Sequence, residues 1–92
     1  MTPYNYFQDP AHGWVRVKMS ELMELGIAEK ISSYSYVSAS GKSVYLEEDL
    51  DLSTFLSAKG IEKLSDLPIR EKHSNKPSYI RTLKNYEAPT TL

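Results

Sequence analysis

Apolar and polar positions along the chain change period several times, and each change marks a short element. Tyr4-Asn5-Tyr6-Phe7-Gln8 reads as a strand, and Asp9-Pro10-Ala11-His12-Gly13 as a turn, because proline presets φ and glycine tolerates positive φ. Trp14-Val15-Arg16-Val17-Lys18 is rich in aromatic and β-branched residues and predicts a second strand, so an N-terminal hairpin is expected. Ser20 is placed to cap a helix of two turns at most, with Glu21 and Glu24 near its positive end, Leu22, Met23 and Leu25 as its apolar side and Gly26 as its stop.

Ser33 to Ser38 alternates serine with larger residues, the period-2 signature of a strand, which puts Tyr34 and Tyr36 on one face and favours the buried face for both. Ala39-Ser40-Gly41-Lys42 is a turn and Ser43-Val44-Tyr45-Leu46 the return strand of a second hairpin. Leu52, Phe55 and Leu56 recur at helical spacing between the acidic run Glu47-Glu48-Asp49-Leu50-Asp51 and Gly60, predicting a helix over 51–59.

Leu67 to Lys72 is expected as an edge strand, since Pro68 excludes a central one, and Ser74-Asn75-Lys76-Pro77 as a turn. Tyr79 to Tyr86 fits helix and strand alike, and Glu87 to Leu92 reads as a fraying end. The pattern predicts a small single α+β domain over 1–88 with a tail at 89–92. The domain is a mostly antiparallel sheet of two hairpins plus a further strand, with two short helices.

Composition narrows the class. The 92 residues suffice for one domain, and 10 aromatics argue against a disordered chain. There is no cysteine, hence no disulfide framework and no thiolate metal site, and no apolar run approaches the roughly 20 residues of a membrane span. No signal peptide is recognisable at Met1-Thr2-Pro3-Tyr4-Asn5-Tyr6, so a cytoplasmic location is expected. The net charge of −1 conceals an asymmetry: residues 1–58 carry four basic and eight acidic groups, residues 59–92 seven basic and four acidic.

Candidate chemistry is sparse. Ser40-Gly41-Lys42-Ser43 has the ending of a phosphate-binding loop, but Tyr36 stands where the motif needs glycine and a strand follows where it needs a helix. Asp9, His12 and His73 are the only pieces of a hydrolytic or metal site. They lack metal-ligand spacing, and Asp9 and His12 are better read as bonding their own turn. The acidic run lacks the alternating oxygens and the glycine of a calcium loop and reads as a charged helix entry. These readings point to a protein that is not an enzyme and has no cofactor and no metal.

The C-terminal third is more suggestive. Arg70, Lys72, Lys76, Arg81 and Lys84 face a single acid, Glu71, with Tyr79 and Tyr86 interleaved. Cations track phosphates and aromatic planes stack on unpaired bases, so these seven residues are the candidate partner-binding set, for nucleic acid or for an acidic protein surface, with a solvated basic edge as the alternative.

The run Tyr6-Phe7-Gln8-Asp9-Pro10-Ala11-His12-Gly13-Trp14-Val15-Arg16-Val17 resembles the opening of a family of small phage and prophage proteins with an aromatic-Asp-Pro-Gly-His-Gly-Trp motif. The likeness continues through Glu21-Leu22, Leu25 to Ile31, Tyr34-Ser35-Tyr36, Val44 to Asp49, Arg70 to His73 and Ile80-Arg81. Ala11 departs from the usual glycine, and Leu50 stands where a cysteine is common. In size and type, though not in any motif, the chain also resembles a type I-F anti-CRISPR protein. That resemblance implies a phage-encoded inhibitor acting in the host cytoplasm, with no membrane partner. It would bind a multi-subunit CRISPR ribonucleoprotein of Cas proteins and guide RNA and block hybridisation of target DNA. A phage accessory protein that binds nucleic acid without catalysis is the alternative expectation.

Overall fold

The computed structural model describes residues 3–88. The predicted frayed tail at 89–92 lies outside them. A six-stranded sheet is built from β1 (Tyr4–Gln8), β2 (Gly13–Lys18), β3 (Tyr36–Val37), β4 (Ser43–Glu47), β5 (Ile69–His73) and β6 (Lys84–Asn85), in the spatial order β5-β1-β2-β4-β3-β6. All neighbours are antiparallel except β1 and β5, which run parallel. Two helices, α1 (Met19–Glu24) and α2 (Asp51–Ala58), complete a small α+β fold, with 3-10 turns at Ala28–Lys30, Leu64–Asp66 and Tyr79–Thr82. No helix among the described residues is long and apolar enough to cross a membrane.

Each sheet face has its own core. On one face, Val15, Val17, Val44 and Leu46 meet Leu52, Phe55 and Leu56 of α2 and Leu22 of α1. Tyr4 sets its ring edge-on to Phe55 at 5.6 Å, a favoured quadrupolar geometry. On the opposite face a smaller cluster joins Trp14, Tyr45 and Ile80, with Phe7, Tyr36 and Leu83 against it. The chain reaches this second face by crossing from β5 at one sheet edge to β6 at the other, and the turn Tyr79–Thr82 lies over it.

Three local expectations are corrected. Ser20 does not cap α1: the helix starts at Met19, its N-cap is Lys18 with no side-chain bond, and Glu24 is its last residue, away from the positive end. The strand expected over Ser33 to Ser38 shrinks to Tyr36–Val37. The reason lies in the serines. Ser32 Oγ and Ser35 Oγ both donate to the carboxylate of Asp51, and Ser35 N bonds back to Ser32 O at 3.3 Å, closing a turn. Serine side chains that bond locally compete with a ladder. The turn also breaks the period-2 relation, so Tyr34 is exposed while Tyr36 packs on the Trp14 cluster.

The region that fitted helix and strand alike divides into a 3-10 turn and β6. The hairpin turn at 39–42 forms, with Gly41 at φ +75° and its N–H bonded to Ser38 O. Gly60 follows α2 in the left-handed conformation, φ +74°.

Candidate functional site

The opening turn is organised by one carboxylate. Asp9 accepts hydrogen bonds from Ala11 N at 3.0 Å and His12 N at 2.9 Å within its own turn, and from Ser78 N at 2.9 Å across the fold. Arg81 adds two more, Nε at 2.7 Å and Nη2 at 3.1 Å. The Asp9 side chain is fully covered. The Arg81 guanidinium, aided by the three backbone N–H groups and opposed by burial, holds its carboxyl far below the usual carboxylate range. With five donors on two oxygens, Asp9 has no lone pair left to act as a general base. The guanidinium also lies over the Trp14 ring, 5.4 Å from its centre.

Neighbouring residues of the opening are structural too. Gly13 is buried where a Cβ would stand 2.8 Å from the Tyr6 ring and 2.9 Å from Glu48 Oε2, so any side chain there must displace one of them. Tyr6 Oη donates to that Glu48 oxygen at 2.7 Å. Trp14 is almost wholly buried, and its Nε1 has no acceptor. His12 and His73 are exposed, and among the described residues no three histidine, aspartate or glutamate side chains gather as metal ligands.

The seven expected binding residues do not form one surface. Arg70 and Lys72 alternate on β5 and are exposed, opposite Asn5 and Phe7 of β1. They therefore stand on the face of the second core cluster. Lys76 is exposed in the loop that follows. Tyr79 is 56% exposed, with its Oη 3.1 Å from Tyr45 Oη.

The remaining three are corrected. Arg81 is committed to Asp9 rather than free. Lys84 sits at the far edge of the sheet, opposite Val37, on the side of the larger core. Tyr86 is 2% exposed and donates its Oη to Ala28 O, so it is a core residue and cannot stack on a base.

Two cations missed by sequence reasoning join Arg70 and Lys72 instead. Arg16 and Lys18 alternate with the buried Val15 and Val17 on β2, which turns both toward the second face. Continuing the Tyr6↔Val15 register places Arg16 beside Asn5, and Asn5 is paired with Arg70. Arg70, Asn5 and Arg16 thus make one row across three strands, about 10 Å from end to end at ordinary strand spacing. A groove of about 380 Å³ continues it, with Asn5, Arg16, Lys18 and Ser43 in its lining. Glu21 also borders the groove, but its carboxylate is engaged by Lys59 at 2.8 Å and by Tyr4 Oη at 2.6 Å. Among the described residues Arg16, Lys18, Arg70 and Lys72 make no ion pair. The signal was present in the alternation of Arg16 and Lys18 with valine, but it acquires meaning only once β5 is known to lie on the same sheet.

Comparison with protein-family models, curated proteins and solved structures returns no significant match.

Proposed function

We propose that this is a non-catalytic binding protein whose open sheet face, carrying Arg16, Lys18, Arg70 and Lys72, docks on a polyanion. The observation that carries the reading is the row Arg70-Asn5-Arg16, whose cations make no ion pair among the described residues and belong to hydrogen-bonded strands of one sheet. Fixed cations on a sheet release counterions from a phosphate backbone without first losing loop entropy. The engagement of Asp9 by five donors supports a binding rather than a hydrolytic role.

The likeness to type I-F anti-CRISPR proteins narrows the polyanion to the guide RNA or the path of the incoming DNA in an RNA-guided surveillance complex. Occupying that path in the host cytoplasm would block hybridisation of target DNA. The test is co-purification of tagged protein with a type I-F complex, repeated with Arg16→Glu/Arg70→Glu. Recovery of the complex with its guide RNA by the parent, and at least about tenfold less by the double variant, is expected, with binding that weakens steeply as salt rises. Salt-independent recovery, or equal recovery by the double variant, refutes the charged face. Failure to recover the complex, together with a gel shift of naked RNA or DNA, transfers the same face to the alternative, an accessory nucleic-acid-binding protein.

A further inference from the structure

At the other end of the same sheet face lies a cavity of about 370 Å³ with the opposite character. Its walls include the rings of Trp14, Tyr34 and Tyr36, and its acidic members are Glu47 and Asp49. Trp14 and Tyr36 stand edge to face with centres 6.2 Å apart. Tyr34, 70% exposed, and Leu50, 49% exposed, also line it, and these are two of the four large hydrophobics left exposed among the described residues.

The acidic lip is built in advance. The Glu47 carboxylate accepts Asp49 N at 2.6 Å and Leu50 N at 3.0 Å, which fixes the bend after β4. Among the described residues the Asp49 carboxylate has no hydrogen bond and no ion pair. The one cation in the lining, Arg81, is already neutralised by Asp9. The cavity is therefore aromatic and net negative.

We infer that this cavity receives an arginine side chain presented by a protein partner. Charge selects the class of occupant. A nucleotide would bring phosphate against Glu47 and Asp49, and an aliphatic side chain would strip water from both carboxylates without replacing it. A guanidinium satisfies both parts of the site, because its plane stacks on aromatic faces while its forked N–H groups meet a carboxylate. The protein already makes this combination once in the same place: Arg81 lies over Trp14 while forking onto Asp9. The cavity is independent of the basic face, and loss of either surface leaves the other testable.

Trp14 is the single tryptophan of the chain and lines the cavity, so its fluorescence reports occupancy directly. The full-length protein is titrated with Nα-acetyl-arginine methylamide, with the neutral citrulline analogue of the same shape, and with adenosine monophosphate. Saturable binding of the arginine probe is expected with a dissociation constant on the order of millimolar, as suits one side chain without its partner protein. The citrulline probe should bind at least about tenfold more weakly, and Asp49→Asn and Tyr34→Ala should each weaken the arginine probe about three- to tenfold. Both substituted residues are exposed, so these variants are expected to fold. Absence of saturation, equal binding of citrulline, or a stronger response to the nucleotide overturns the assignment.

Discussion

Asp9 and Arg81, 72 positions apart, are joined by two N–H···O bonds of 2.7 and 3.1 Å that tie the first turn of the sheet to the segment crossing its second face. The pair does more than neutralise charge. Arg81 is held over Trp14, Ser78 is drawn in through its backbone N–H, and Ile80 is set into the Trp14–Tyr45 cluster. The opening motif of the chain is thus the anchor for its C-terminal third.

Acid should release that anchor. The Asp9 carboxyl is lowered in the folded protein, chiefly by Arg81, so its contribution is fully present above the unfolded carboxylate value of about 3.9 and is lost as pH falls through the lower folded value. Asp9→Asn should melt at a lower temperature than the parent at neutral pH, with the gap narrowing steadily below about pH 4. Thermal melts followed by circular dichroism across that range check it. A gap that stays constant into strong acid would show that the Asp9 carboxylate does not anchor the C-terminal third.

Asp51 holds a second tether. It is 1% exposed and accepts from Ser32 N at 3.0 Å, Ser32 Oγ at 2.7 Å and Ser35 Oγ, while Ser35 Oγ in turn accepts Glu47 N at 3.0 Å. Replacing the carboxylate with an amide turns one acceptor into a donor facing donors. Asp51→Asn should cost about 1–3 kcal/mol in urea unfolding. A loss below about 0.5 kcal/mol, the range of an ordinary surface change, would contradict the network.

Two glycines test space against backbone. Gly13→Ala places a Cβ 2.8 Å from the Tyr6 ring and should cost about 1–3 kcal/mol by overpacking and by displacing the Tyr6–Glu48 hydrogen bond. Gly41→Ala meets nothing within 4 Å but forces alanine to φ +75°, which should cost about 1–2 kcal/mol. A double variant should then be additive, since the two costs arise from unrelated causes. Denaturant midpoints decide the matter, and strong coupling between the two sites would be inconsistent with separate causes.

Alkali should act through Tyr6. Burial, followed by its hydrogen bond to Glu48, pushes the hydroxyl up to about 12. The raised value means that the stabilisation is fully present below the unfolded value of about 10 and is lost as pH rises through about 12. Tyr6→Phe should be less stable than the parent near neutrality by about 1–2 kcal/mol, with the difference shrinking above about pH 10. Tyr45, also raised to about 12 by burial and by Tyr79, supplies a share of the alkaline transition that this variant leaves intact. Urea titrations near pH 8 and pH 11 provide the comparison, and an unchanged difference at the two values would exclude Tyr6 as a titrating contributor.

Much of the architecture was legible along the chain because it is set by near neighbours. The alternation in Tyr4–Gln8 and Gly13–Lys18, the i, i+3, i+4 spacing of Leu52, Phe55 and Leu56, and the glycine stops after both helices all depend on local periodicity and φ preference. The sequence by itself therefore determined the hairpins, the helices and the α+β class. Only the tertiary structure decided where charge and aromatic rings meet. Arg81 and Tyr86 read as free ligands for a partner until Asp9 and Ala28 O, both distant in sequence, took them. Tyr34 and Tyr36 parted because Asp51 draws the serines beside them into a turn. Arg16 and Lys18 joined Arg70 because β1 pairs in parallel with a strand 65 positions later, Tyr4 opposite Ile69. Such choices are made by hydrogen-bond partners and sheet register, which are long-range quantities that no local pattern encodes.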